Sequence, residues 1–196
     1  YGSAAWYKQN VKRMETLATS LGYEKVSQLK LDVVKKIREY VVGGGFMFAM
    51  CSATDTYDIA LAAEGIDICA SMYDGDPQDP NAQLKLNFEN TFAFKDFRLK
   101  SNPLEYEYST IDRARAPVID EKLDYFTLFD FSAKWDPVPT MLTQNHTTLV
   151  KGFMGQTTSF DRETVKTNVL VLGENRTNRE ARYIHGTKGK GMFTFY

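Results

Sequence analysis

This sequence of 196 residues has little cysteine and little histidine, and its positive and negative charges nearly cancel. Two cysteines, Cys51 and Cys69, are too few for a disulfide scaffold. Lys and Arg number 24 against 25 Asp and Glu, so the basic excess that binds nucleic acid is absent. No apolar run approaches the roughly 20 residues that cross a bilayer. The sequence therefore predicts no nucleic-acid partner and no membrane-spanning segment.

Aromatic residues, in contrast, are plentiful. The chain has 13 Phe, 11 Tyr and 2 Trp, and hydrophobic residues make up 43% of it. These are the proportions of one globular domain, or of an incomplete one, with a large core. The glycine-rich stretches 43–45 and 186–191 lack the spacing of a phosphate-binding loop. No cofactor is predicted.

The first third of the chain predicts helix, helix, strand, tight turn and helix. Apolar residues three to five apart indicate helices over 4–21 and 27–41. The continuous apolar run 46–50 is typical of a strand buried on both faces, as in a parallel sheet. Thr54 or Asp55 can cap the helix that follows. This order predicts an α/β fold with a flavodoxin-like doubly wound sheet.

The rest of the chain predicts an inserted irregular lobe, at about 71–139, and then strands. Short strand candidates within the lobe are 91–94 and 125–131, and later candidates cover 147–150, 169–172, 181–184 and 192–196. Residues 84–139 are rich in aromatic side chains, which are typical of an interface when they are exposed together. We expect these aromatic side chains to pack on another protein chain or on a missing N-terminal portion. The residues are Tyr106, Tyr108, Tyr125, Phe126, Phe129, Phe131 and Trp135.

The most informative stretch surrounds Cys51. A predicted buried strand leads into this residue, small residues lie two before it (Ala49) and two after it (Ala53), and a helix begins at once. This is the pattern of a nucleophile elbow, in which the turn is so sharp that its flanking residues must be small. The N–H groups at the start of the helix, those of Ser52 and Ala53, are candidates for an oxyanion hole. The alternative is a buried structural cysteine, and this is the interpretation of Cys69.

The stretch Phe46-Met47-Phe48-Ala49-Met50-Cys51-Ser52-Ala53 resembles the elbow of class I glutamine amidotransferases, in which the central residue is a nucleophilic Cys. Gly43-Gly44-Gly45-Phe46 is similar to the opening of trehalose-utilization-like (ThuA-like) domains of the same superfamily, which usually carry His at the turn. Two later segments, one from Asn145 to Phe153 and one from Tyr183 to Tyr196, are similar to other parts of those domains. The resemblance covers about residues 27–65 and 140–196.

The whole chain also resembles bacterial proteins labelled asparagine synthetase B. True enzymes of that name use a Cys at the mature N-terminus and a separate ATP-dependent domain, and neither is seen in this sequence. We therefore take the expected function from the superfamily and not from that label. The resemblance to the superfamily implies a Cys-dependent amide hydrolase or amidotransferase with Cys51 as nucleophile. The other hypothesis is a catalytically silent relative that serves as a structural or binding subunit of a bacterial complex.

Cysteine–histidine catalysis needs a base within hydrogen-bonding reach of the thiol. The sequence offers His146, a candidate base, and His185, which we expect to lie far from Cys51; a hydrogen-bonded surface or hairpin histidine is the alternative for both. Asp55 and Asp58 follow Cys51 on the same predicted helix. Asp55 is interpreted as a first-turn carboxylate favoured by the helix dipole, and alternatively as a group near the thiol.

The stretch 74–81 concentrates carboxylates, with Asp74, Asp76 and Asp79 in six residues. Oxygen-rich loops can bind Ca²⁺, but this one lacks the EF-hand spacing and the closing Glu. We interpret it as a self-capping turn and predict no metal site.

The chain opens at Tyr1 and not at Met, and no strand candidate precedes the run 46–50. We therefore expect further sequence before residue 1 and after residue 196, and in the resembled family a His follows the last strand. Any export signal would lie upstream, so the compartment stays open.

Overall fold

The structure, a computed structural model, describes residues 3–102, 104–105, 107–113, 125–128, 149–151, 159–176 and 178–196. These residues include five α-helices: α1 (Ala5–Ser20), α2 (Val26–Val42), α3 (Ala53–Ala62), α4 (Ser71–Asp74) and α5 (Ala82–Lys85). They include six strands: β1 (Phe46–Ala49), β2 (Tyr125–Leu128), β3 (Leu149–Lys151), β4 (Leu170–Asn175), β5 (Ala181–Lys188) and β6 (Gly191–Phe195). A short 3-10 helix covers Arg162–Thr164. Within these residues no helix is long and apolar enough to span a membrane.

The strands form one mixed sheet in the order β1-β6-β5-β4-β2-β3. Strand β1 pairs with β6 in parallel, and the remaining four neighbouring pairs are antiparallel. The predicted α/β class is confirmed. The predicted strands at 125–131, 147–150, 169–172, 181–184 and 192–196 each overlap a strand of the sheet. At 91–94 the prediction was wrong, because Phe94 makes only an isolated bridge with Val165.

The core lies between one face of the sheet and the helices. The sheet contributes Phe193 and Phe195 of β6 and Ile184 of β5, which are fully buried. The helices contribute Leu61 of α3 and Val41 of α2 to the same core. The described part of the predicted lobe joins this same core through Phe92, Phe94, Phe97 and Ile111.

Of the aromatic residues expected at a partner surface, Tyr108 is exposed and Tyr125 is half-buried. Tyr106, Phe129, Phe131 and Trp135 lie outside the described residues, and nothing is described of the Phe126 side chain. The partner surface therefore stays a prediction.

Strand β1 is not buried on both faces, so that prediction was wrong. Phe46 and Phe48 are 46% and 40% exposed, whereas Ala49 is buried. The physical reason is the position of β1 at the edge of the sheet, where the described residues cover only one of its faces. A continuous apolar run indicates a strand, but it does not tell which strand will be covered twice.

The two glycine-rich stretches lie against each other. The Lys190 N–H donates to the Val42 carbonyl at 2.9 Å, and the Met192 N–H donates to the Gly45 carbonyl at 3.1 Å. A Cβ atom at Gly191 would overlap the carbonyl oxygens of Val41 and Gly45. These glycines therefore allow the end of α2 to approach the β5–β6 turn.

Asp58 ties α3 to the loop that follows α5. Its buried carboxylate accepts the N–H groups of Phe92 at 2.7 Å, Ala93 at 2.7 Å and Phe94 at 2.9 Å. Burial raises the pKa of Asp58 to about 6, and the three N–H donors oppose that rise. The loop is held at a fixed distance from the helix that begins beside Cys51.

Candidate functional site

Cys51 lies on the turn that joins β1 to α3, as the elbow pattern predicted. Cys51 is exposed, so it is not a buried structural cysteine. Its backbone φ is +56°, in the left-handed region that non-glycine residues seldom occupy. Such a conformation persists only where the surrounding structure holds it, and it is common at active sites.

Both peptide groups that flank the Cys51 Cα atom are held by hydrogen bonds. The Cys51 N–H donates to the carbonyl of Tyr196, which directly follows β6, at 3.0 Å. The Cys51 carbonyl accepts the Thr54 N–H at 3.1 Å and the Thr54 hydroxyl at 2.7 Å. The prediction that Thr54 or Asp55 caps the helix was wrong, because α3 begins at Ala53 and both residues lie inside its first turn. The contact of Thr54 with Cys51 was not predicted.

The two predicted oxyanion donors differ in the structure. The Ala53 N–H donates to the Met50 carbonyl at 3.3 Å. For the Ser52 N–H, no hydrogen-bond acceptor is present among the described residues. Ser52 is the residue before α3, where N–H groups carry the partial positive charge of the helix. Of the two N–H groups, the Ser52 N–H is therefore the one without an acceptor among the described residues.

The candidate base His146 lies outside the described residues. His185 is buried in the middle of β5, where its Nδ1 atom lies 2.9 Å from the Thr194 hydroxyl. Strand β6 separates β5 from β1, so His185 is about 10 Å from β1 in the direction across the sheet. Burial lowers the pKa of His185. It is a hydrogen-bonded histidine, and it belongs to the sheet interior rather than to the surface.

Asp55 is a first-turn carboxylate of α3, as predicted, and it is buried. Its Oδ1 atom accepts the Thr56 N–H at 2.8 Å. Burial raises the pKa of Asp55 to about 7, and the negative charges of Asp112 and Asp58 add to the rise. No hydrogen bond joins it to Cys51 within the described part of the chain.

Two carboxylates of the 74–81 loop, those of Asp74 and Asp76, contact a lysine that the sequence did not connect with them. The Lys25 ammonium lies 2.9 Å from Asp67, 3.4 Å from Asp74 and 2.5 Å from Asp76. These hydrogen bonds raise the pKa of Lys25, and the bond to Lys25 lowers that of Asp67. Carboxylate oxygens of the three aspartates lie within 4.8 Å of one another. The ammonium therefore offsets part of the negative charge of this acidic cluster.

Cys69 has different surroundings from Cys51. It is half-buried, and its N–H donates to the Asp67 carboxylate at 2.8 Å. Burial, with the nearby negative charge of Asp74, raises the pKa of the Cys69 thiol to about 11. A thiol with so high a pKa is almost entirely protonated at neutral pH and is a poor nucleophile.

No family model, curated protein or solved structure gave a significant match in comparisons with the chain. The resemblance to class I glutamine amidotransferases therefore depends on the motifs themselves.

Proposed function

We propose that the chain is a class I glutamine amidotransferase-like domain in which Cys51 is the nucleophile of an amide-hydrolysing or amide-transferring reaction. The observation that carries the proposal is the left-handed backbone of Cys51, an exposed non-glycine residue on the turn from β1 to α3. A thiol on such a strand–turn–helix junction stands clear of the sheet and faces the helix N-terminus.

The chemistry follows the usual course of thiol catalysis. The catalytic base takes the proton of the Cys51 thiol, the thiolate attacks the carbonyl carbon of a carboxamide, and the Ser52 N–H donates a hydrogen bond to the oxyanion that forms. The C–N bond then breaks, and ammonia leaves with a proton from the catalytic base. Water attacks the thioester, releases the carboxylic acid and regenerates the thiol. In the transfer reaction the ammonia attacks an acceptor instead of escaping.

The candidate base in the proposal is His146, which lies outside the described residues. The carboxyl ends of the parallel strands β1 and β6 meet beside Cys51, whose N–H donates to the Tyr196 carbonyl.

The finer fold assignment belongs to the same proposal. A flavodoxin-like doubly wound sheet has helices on both faces and a site at the carboxyl ends of its parallel strands. Around Cys51 the assignment is supported by the parallel pair β1–β6, by the packing of α2 and α3 against its core face and by the position of Cys51 at its carboxyl edge. The other four strand pairs are antiparallel, so the support is confined to this part of the sheet.

The function is tested by ammonia release from L-glutamine and from a panel of simple carboxamides. We expect release by the unmodified protein and by Cys69→Ala, and none by Cys51→Ala. Cys69→Ala is the matched control, because it removes the other thiol of the chain. Equal release by Cys51→Ala, or no release by any of the three proteins, would contradict the proposed reaction.

A second candidate function is favoured by the apolar surface of β1. Phe46 and Phe48 are exposed on one face of this edge strand, and within the described residues its outer edge has no strand partner. Unpaired edges with apolar side chains are the places where further strands add. The chain would then be a silent relative that acts as a structural or binding subunit of a complex.

Sedimentation velocity of the purified chain over a range of concentrations tests this second function. Association that is lost in Phe46→Ser with Phe48→Ser, and kept in Leu84→Ser, would support it; Leu84 is also highly exposed but lies on α5. A monomer at every concentration would count against self-association through β1.

A further inference from the structure

Thr54 contacts the backbone of Cys51 through two separate donors. The residue is completely buried in the first turn of α3. Its N–H and its hydroxyl both donate to the Cys51 carbonyl, at 3.1 and 2.7 Å. The hydroxyl bond could not be made by valine, which has the same shape.

The two bonds act on the peptide group between Cys51 and Ser52. This group is planar, and its C=O and N–H point in opposite directions. Because the Cys51 carbonyl points toward Thr54 and into the helix, the Ser52 N–H points out of the helix N-terminus. Thr54 therefore fixes the direction of the donor that the proposed reaction uses.

The same bonds fix the conformation of Cys51. The Cys51 N–H is already held by the Tyr196 carbonyl at 3.0 Å. The φ and ψ angles of Cys51 set how the peptide group before its Cα atom is turned relative to the peptide group after it. Because Tyr196 holds the first group and Thr54 holds the second, both angles are fixed. A left-handed cysteine at φ +56° needs such a constraint, since an unconstrained chain would leave this region.

We propose that Thr54 is the positioning residue of the Cys51 site, which holds the left-handed backbone of Cys51 and directs the Ser52 N–H outward. The inference rests on the proposed function, because it assigns Thr54 a role through Cys51. Thr54 is buried and acts through the backbone alone, so it is not itself a catalytic residue.

The test is the rate of iodoacetamide labelling of Cys51 in the folded protein, followed by peptide mass spectrometry, in Thr54→Val and Thr54→Ser. We expect Thr54→Val to slow the labelling by about two- to tenfold, the factor that corresponds to one hydrogen bond. Thr54→Ser keeps the hydroxyl and should label at the unmodified rate. Thr56→Val is the matched control, since Thr56 donates its hydroxyl to the Ser52 carbonyl in the same helix and does not contact the Cys51 carbonyl.

Thermal unfolding midpoints and the labelling rate of Cys69 show that each variant is folded at the temperature of the assay. Fast labelling of Cys51 in Thr54→Val, at the rate of the unmodified protein, would overturn the positioning role and leave the nucleophile standing. Loss of rate in Thr54→Ser as well as in Thr54→Val would also overturn it, because the hydroxyl would then not be the cause. A Cys51 that labels no faster than Cys69 in the unmodified protein would overturn the nucleophile together with its positioning residue.

Discussion

The carboxylate of Asp58 accepts the backbone N–H of Phe92 at 2.7 Å, across 34 residues of sequence. Ala93 and Phe94 donate to the same carboxylate. A single buried side chain thus satisfies three consecutive N–H groups that the sheet does not reach. It also anchors the loop that carries three of the core phenylalanines, Phe92, Phe94 and Phe97.

Asp58→Asn should destabilise the protein by about 2–4 kcal/mol at pH 7, because the amide nitrogen would face a backbone donor and leave it unsatisfied. Urea denaturation followed by circular dichroism measures this change. Asp96→Asn is the control, since Asp96 is exposed and has a left-handed backbone that Asn adopts readily. Equal stability of the two variants would show that the carboxylate does not hold the loop.

Asp55 makes stability depend on pH. Its pKa is about 7 in the folded protein and roughly 3.9 in the unfolded chain, so the folded state binds this proton more tightly. The contribution of Asp55 to the free energy of unfolding should therefore be most favourable below about pH 4 and should fall as the pH rises to about 7. In Asp55→Asn this fall should be absent, and the variant should be about 1–4 kcal/mol more stable than the unmodified protein at pH 8.

The measurement is urea denaturation of both proteins at pH 5 and pH 8. Asp112 and Asp58 are the other negative groups that act on Asp55, and they are unchanged in the variant. A variant that lost stability at pH 8 would mean that the ionised Asp55 makes a favourable contact.

Tyr57 has a buried hydroxyl with no hydrogen-bond partner in the described part of the chain, while its ring packs on Phe92 at a centroid distance of 5.1 Å. Tyr57→Phe should be as stable as the unmodified protein, or more stable by up to about 1 kcal/mol, because it removes an unsatisfied polar atom. Tyr57→Ala should lose about 3–5 kcal/mol, because it also removes the ring. Thermal and urea unfolding measure both, and a clear loss in Tyr57→Phe would reveal a partner for the hydroxyl.

Gly191 has no room for a side chain, because a Cβ atom there would overlap two carbonyl oxygens of the α2–β1 segment. Gly191→Ala should therefore cost about 3 kcal/mol or prevent soluble expression. Gly43→Ala is the matched control in the opposite segment, where the nearest atom would be the Glu39 carbonyl oxygen at 3.2 Å. Unfolding midpoints that fell equally in the two variants would argue against the close contact of the glycine stretches.

Local patterns predicted local structure well. Apolar spacing predicted a helix over 4–21, and α1 covers Ala5–Ser20. The small residues around Cys51 predicted a sharp strand-to-helix turn, and the left-handed Cys51 lies on it. These features depend on residues that are neighbours in the chain, and periodicity and turn chemistry report on such residues.

The contacts that the sequence did not reveal join distant residues. Nothing near Asp58 indicates three donors at 92–94, and nothing near Lys25 indicates the aspartates at 67–76. The exposure of Phe46 and Phe48 depends on which strand lies at the sheet edge, and apolar runs carry no information on strand order. The base of the proposed reaction also stays a prediction, because His146 lies outside the described residues.

The most direct test of the Cys51 site compares its labelling by iodoacetamide with that of Cys69 in the native protein at pH 7.5. The account predicts that Cys51 reacts at least about tenfold faster, since it is exposed on a strained turn while the pKa of Cys69 is raised to about 11. Peptide mass spectrometry over a time course separates the two rates. Equally slow labelling of both cysteines would contradict the assignment of Cys51 as a nucleophile.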